Sequence, residues 1–136
     1  MTFLDTNVLV YAVDARDVRK QHAAKAIVMA ARNPSEYAIS SQVLNEFSNV
    51  AVNKLKKTLD ETRAFVEMFM TINSVDVKSQ WTVQAIEIMG RYNIQFYDSL
   101  LLATAKAVGC SDFLTEDLND GQTYCGINVV NPFKGL

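Results

Sequence analysis

Four carboxylates, Asp5, Glu46, Asp98 and Asp117, stand where apolar segments end or a helix face meets the core. Asp5 closes the run Thr2-Phe3-Leu4 and leads into Thr6-Asn7 and a helix. Glu46 lies in Ser41-Gln42-Val43-Leu44-Asn45-Glu46-Phe47, Asp98 follows Phe96-Tyr97 at the start of a helix, and Asp117 follows Phe113-Leu114-Thr115. If one parallel sheet with helices holds them, all four converge at the carboxyl ends of its strands, where such folds place ligands. Like charges about 4 Å apart repel by about 4 kcal/mol at an effective dielectric near 20. Such a cluster must therefore take up protons, spread apart or bind cations. Hard oxygen ligands without histidine or thiolate select Mg²⁺ or Mn²⁺ over zinc or copper. One ion binds a phosphate oxygen and acidifies a water for attack on phosphorus, and a second stabilises the departing oxygen. No side-chain nucleophile is required.

Each acid also has a purely structural use. Asp98 could N-cap its helix and Asp5 the helix beginning near Asn7. Asp117 could shape the turn that ends at Gly121, and Glu46 could sit on a solvated face. Two features favour a shared site. Glu46 lies beside the apolar stripe of its helix with Gln42 and Asn49 at i−4 and i+3, and Asp5 is hemmed in by Phe3, Leu4, Val8 and Leu9. Thr6, Asn7, Gln42, Asn45 and Thr115 are suited to orient the carboxylates or a bound water. Glu116 and Asp120 are near enough in sequence to take over or share the role of Asp117.

The elements that must position these residues alternate in period. Short β-prone runs occur at Thr2–Asp5, Tyr37–Ser40, Ser74–Val77, Asp112–Thr115 and Ile127–Val130, separated by segments of helical spacing. Asp17 caps a helix running to about Asn33, with Ala23, Ile27, Ala30 and Ala31 on one face, and Pro34 ends it. Val43, Phe47, Val50 and Ala51 form the buried stripe of the Gln42–Leu55 segment. Phe65, Met68, Phe69 and Ile72 repeat at amphipathic spacing. Trp81–Arg91 and Asp98–Val108 complete the helices, the last terminated by Gly109. Strands separated by helices predict an α/β fold of βαβ units around a parallel sheet. With 136 residues, no repeat and no linker, one domain spanning residues 1–136 is expected.

Hydrophobic residues make up 49% of the chain, enough for a packed core, and no apolar run is long enough for a bilayer. No secretory signal is evident. Cys110 and Cys125 lack the spacing of a zinc site, and a cytoplasmic location with reduced thiols is expected. His22 is the single histidine, which weighs against a Ser-His-Asp triad or a histidine-rich metal site. The net charge of −2 divides into +3 over residues 1–57 (8 basic, 5 acidic) and −5 over residues 58–136 (5 basic, 10 acidic). Two divalent ions would bring the total to +2, so a nucleic-acid substrate is compatible with it.

Met1-Thr2-Phe3-Leu4-Asp5-Thr6-Asn7-Val8-Leu9-Val10-Tyr11-Ala12 resembles the opening of PIN-domain ribonucleases. The segment around Glu46 resembles their second acidic motif, Tyr97-Asp98-Ser99-Leu100-Leu101-Leu102-Ala103-Thr104-Ala105 the third, and Leu114-Thr115-Glu116-Asp117-Leu118 the fourth. Asn119-Asp120-Gly121-Gln122 and Val130-Asn131-Pro132-Phe133 resemble the VapC-type toxin branch. The likeness covers essentially the whole chain, in order. It implies a parallel sheet of four or five strands flanked by helices on both faces, and Mg²⁺- or Mn²⁺-dependent hydrolysis of single-stranded RNA. Asp5, Glu46, Asp98 and Asp117 carry over as the acidic ligands. The resemblance further implies a homodimer and a cognate antitoxin whose C-terminal segment covers the active-site groove. Two rival readings are a PIN nuclease of RNA processing or quality control without an antitoxin, and a non-catalytic interaction domain.

Two surfaces complete the reading. Lys54, Lys56 and Lys57 end the helix bearing Glu46, while Arg16, Arg19 and Lys20 precede or begin another, and both groups could guide a phosphate backbone. No aromatic RNA-stacking motif of a familiar kind is evident. Part of the Phe65–Met70 helix is expected to seat the antitoxin or a second protomer.

Overall fold

The computed structural model describes all residues, 1–136. Its first unit runs from β1 (Thr2–Leu4) through α1 (Thr6–Val13) and α2 (Val18–Ala30) to β2 (Tyr37–Ser40). Next come α3 (Ser41–Asn53), α4 (Leu59–Phe69) and β3 (Ser74–Val75), then α5 (Ser79–Tyr92), α6 (Phe96–Ala107) and β4 (Asp112–Leu114). The chain closes with β5 (Thr123–Tyr124) and β6 (Ile127–Val130). The strands form one sheet in the order β3-β2-β1-β4-β6-β5. All neighbours are parallel except β5 and β6.

The fold is therefore the expected α/β arrangement, with one correction. The sheet has six strands, the added one being the two-residue β5, which folds back antiparallel on β6. A hairpin arm this short has too few residues to show an alternating apolar pattern. The run Ser74–Val77 contributes only Ser74–Val75 to the ladder.

The order of strands decides where the site lies. From β1 the chain steps outward to β2 and β3, then crosses back to place β4 on the other side of β1. Right-handed crossovers put the helices of these two excursions on opposite faces: α1 to α4 on one, α5 and α6 on the other. The reversal at β1 and β4 is the switch point at which open α/β sheets leave a crevice beyond their carboxyl ends. Asp5 follows β1 directly and Asp117 lies three residues beyond β4.

Phe3, Ile39, Phe113 and Val129 supply the sheet's share of the core, and Val43, Phe47, Phe69, Leu101 and Leu102 the helices' share, all essentially inaccessible to solvent. Phe47 packs edge-on against Phe69 with ring centroids 4.9 Å apart. The α2 stripe keeps Ala23, Ile27 and Ala31 of the expected one but is turned by about one residue. Ala24 and Ala31 are buried with Ile27 and Val28 against them, whereas Ala30 is exposed. Asp17 caps α2 through Lys20 N, and Thr58 with Glu61 forms a reciprocal capping box on α4. Gly109, at φ 84°, ends α6 in the left-handed region.

Candidate active site

Asp5 is set by backbone geometry. It N-caps α1, its Oδ1 accepting from Thr6 N at 2.6 Å, so the structural use and the candidate chemical use coincide in one side chain. Its Oδ2 accepts from Thr115 Oγ1 at 2.6 Å and from Asn7 Nδ2 at 3.2 Å. Burial, followed by the Asp117 and Asp98 charges, overrides these donors and pushes the Asp5 carboxyl up to about 7.

Asp98 does not cap its helix. Helix α6 begins at Phe96 with Gln95 at the N-cap, which places Asp98 within the first turn, where the helix favours a negative charge. No protein donor bonds to it. Burial raises its carboxyl to about 6, with Asp117 and Glu46 adding repulsion. Asp117 is exposed and is held by its neighbours: its N–H donates to Thr115 Oγ1 at 3.0 Å and its Oδ2 accepts from Asn7 Nδ2 at 3.2 Å. One carboxylate oxygen each from Asp5, Asp98 and Asp117 lies within 4.8 Å of the others.

Glu46 stands outside that tight trio but in the same cleft. Gln42, one turn earlier on α3, donates to its Oε1 at 2.6 Å, and Thr6 Oγ1 donates to its Oε2 at 3.3 Å. The cleft, about 350 Å³, is lined by all four carboxylates together with Thr6, Asn7, Tyr11, Asp14, Arg16, Lys54 and Glu116. Beyond Glu46, Asp98 and Asp117 it continues into a second recess of about 600 Å³ walled by Gln42, Asn45, Asn49, Gln95 and Tyr97.

The neighbours of Asp117 are engaged elsewhere. Glu116 accepts from Tyr11 Oη at 2.5 Å and pairs with Lys20 Nζ at 3.2 Å. Asp120 accepts from Asn131 N and pairs with Lys134, which hold its carboxyl below the usual range. Among the remaining sequence candidates, Thr6, Asn7, Gln42 and Thr115 bond directly to a carboxylate. Asn45 is exposed and makes no such bond. Lys54 reaches the cleft, Lys57 borders the hollow beside it with Arg16, and Lys56 lines neither.

Tyr11, Asp14 and Tyr97 are wall residues to which no role in the site was assigned from sequence, whereas Asn49 stands beside Glu46 as its spacing implies. Tyr11 and Asp14 follow Asn7 at i+4 and i+7, the helical spacing that marks one face. That periodicity could have found them. Tyr97 carried no such signal beyond its place beside Asp98.

The donor set fits a hard divalent cation. It is all oxygen, two of its carboxylates are strained toward protonation by burial and mutual repulsion, and the amide Oδ1 of Asn7 is buried without a partner. Neither thiol competes: burial raises Cys125 and pushes Cys110 up to about 11.

A family model for the PIN domain matches residues 2–119. The chain belongs to the PIN-domain family. Three solved structures illustrate how widely the fold is shared. A toxin–antitoxin complex from Klebsiella pneumoniae is 22% identical, with 98% of each chain covered and a TM-score of 0.73. VapC20 from Mycobacterium tuberculosis, described as a toxin cleaving the sarcin–ricin loop, is 21% identical over 83% of this chain and 87% of its own, with a TM-score of 0.64. VapBC2 from Rickettsia felis, bound to a promoter DNA fragment, is 21% identical over 94% of this chain and 96% of its own, with a TM-score of 0.66. No sequence match is found among curated proteins. No helix of this PIN domain is long and apolar enough to cross a membrane.

Proposed function

We propose that this PIN domain is a Mg²⁺- or Mn²⁺-dependent endoribonuclease that hydrolyses phosphodiester bonds of single-stranded RNA, and that it is the toxin of a toxin–antitoxin pair. The observation that carries the nuclease reading is the convergence of Asp5, Asp98 and Asp117, with Glu46 beside them, in one cleft at the sheet's switch point. Asp5, Asp98 and Asp117 would hold the cation directly, and Glu46 would hold a second ion or a water. A divalent ion there supplies charge neutralisation at the phosphate and acidifies an attacking water. Thr6, Asn7, Gln42 and Thr115 fix the carboxylate orientations, so little reorganisation is needed when substrate arrives. Arg16 and Lys54, on the same cleft wall, attract the flanking phosphates.

The toxin reading is supported by the likeness, over almost the full length of both chains, to the Klebsiella pneumoniae toxin–antitoxin chain. A cytoplasmic setting and a homodimer belong to the same proposal. The antitoxin would seat on the apolar hollow between α2 and α4, lined by Val28, Met29, Phe65, Met68 and Ile72 together with Lys25 and Arg32. Inducing the protein in cells and mapping new RNA 5′ and 3′ ends, beside an Asp98→Asn control, tests the nuclease. New ends confined to the unsubstituted protein are expected, and identical maps from the two would refute it. Growth arrest relieved by an adjoining small gene tests the pairing.

A further inference from the structure

The recess on the far side of the acids differs from the cleft around Arg16 and Lys54. No lysine or arginine lines it, and three of its walls are the neutral amides Asn45, Asn49 and Gln95. It shares Glu46, Asp98 and Asp117 with the acid cluster but, unlike the cleft, has no basic side chain to offset their charge, so a phosphate group is disfavoured there. Tyr97 stands at its wall 63% exposed, and its ring meets that of Phe96 at 77° with centroids 5.2 Å apart.

Gln42 supplies an independent observation. Its side chain is 8% exposed and its orientation is locked, because Nε2 donates both to Glu46 Oε1 at 2.6 Å and to the Tyr97 carbonyl at 3.0 Å. Turning the amide over would set its oxygen against a carboxylate and a carbonyl. The Oε1 acceptor is left buried with no partner. A recess whose only charged side chains are the carboxylates of Glu46, Asp98 and Asp117, with an exposed aromatic face and a buried acceptor in want of an N–H, suits a planar ring with a donor edge.

We propose that this recess is a nucleobase subsite. It seats one unpaired base next to the cleaved phosphate, stacked on Tyr97 with an amino or imino N–H directed to Gln42 and the surrounding amides. This inference rests on the ribonuclease reading, and it gives the enzyme its base preference. The backbone runs out past Arg16 and Lys54 on the other side. Stacking tolerates every base, whereas a fixed acceptor selects among them by the position of their N–H groups.

The test is binding, separated from cleavage. In the Asp98→Asn protein with Mg²⁺ present, fluorescence anisotropy is measured for labelled hexamers of A, C, G and U and for an abasic hexamer. Unequal affinities among the four, weak binding of the abasic strand, and a loss on the order of 10- to 100-fold on adding Tyr97→Ala are expected. Tyr97→Phe should retain the affinity of the parent. Equal binding of all five strands, no binding of any, or Tyr97→Ala matching the parent would overturn the subsite. Because Tyr97 is exposed, a melting curve of Tyr97→Ala should coincide with the parent's. The nuclease reading fails separately, through end maps that do not depend on Asp98.

Discussion

Thr115 Oγ1 donates a 2.6 Å hydrogen bond to Asp5 Oδ2, tying the loop after β4 to the end of β1 across 110 positions of sequence. The same hydroxyl accepts from Asp117 N and from Asn7 Nδ2. One fully buried threonine thus sets the distance between two of the three clustered carboxylates. Thr115→Val keeps the shape and removes all three bonds. It leaves buried polar partners unsatisfied, so a loss on the order of 1–3 kcal/mol in chemical denaturation is expected. Weaker Mn²⁺ affinity by calorimetry should accompany it. A variant that binds Mn²⁺ like the parent would show that the hydroxyl does not organise the site.

Stability without metal should fall as pH rises. Asp5 and Asp98 titrate near 3.8 when unperturbed but are raised to about 7 and about 6 in the folded protein. Between those values the folded state binds more protons than the unfolded state, so the slope of unfolding free energy with pH is negative. The stabilisation by protonation is complete below about pH 4 and is lost as pH climbs through 6 to 7. Asp5, almost wholly buried, accounts for a change on the order of 4 kcal/mol. Thermal melts in EDTA at pH 5.5 and pH 8 check this, and a higher Tm at pH 8 would contradict it.

Added Mg²⁺ or Mn²⁺ should reverse that trend. A cation that binds the folded state alone stabilises it by mass action, about 2.7 kcal/mol at a hundredfold excess over Kd. It competes with protons for Asp5 and Asp98, so its effect on Tm should be larger at pH 8 than at pH 5.5. Calcium-free melts with millimolar Mn²⁺ at the two pH values measure it. An equal shift at both would mean that the ion binds away from these carboxylates.

Asp98→Asn should abolish metal-dependent RNA cleavage while leaving the fold intact. Asp98 accepts no hydrogen bond from the protein and is not the cap of α6, so its removal costs no structural contact. It also removes one repelling charge from Asp5. The variant should therefore melt at or above the parent's Tm in EDTA at pH 8. A marked loss of stability would mean that Asp98 has a structural role unaccounted for by its surroundings.

Much of this arrangement could be read from the chain because the relevant signals are local. Apolar periodicity located five of the six strands and the main helices; Asp5 and Asp117 stood at the ends of β-prone runs, Glu46 beside an apolar stripe and Asp98 near a helix start. What escaped was set by packing across the fold. Asp98 looked like a cap, yet the helix starts two residues earlier, at Phe96, which with Ile94 packs against the core cluster. The partners of Glu116 and Asp120 are distant in sequence (Lys20 and Tyr11 in one case, Asn131 and Lys134 in the other), so no spacing rule distinguishes them from Asp117. The Phe65–Met70 helix divided similarly, with burial decided by which side meets α3.

Within that helix, Phe69 is fully buried against Phe47, whereas Met68 is 41% exposed at the rim of the α2–α4 hollow. Phe69→Ala should cost on the order of 3–5 kcal/mol by emptying the core. A partner-binding defect in that variant would therefore be ambiguous. Met68→Ala removes exposed apolar surface and should change stability by less than about 0.5 kcal/mol. If the hollow receives a partner helix, Met68→Glu should weaken capture of the antitoxin while RNA cleavage by the free protein is unchanged. Co-purification of tagged antitoxin with each variant, beside a cleavage assay, distinguishes the cases. Full capture by Met68→Glu would move the partner surface elsewhere.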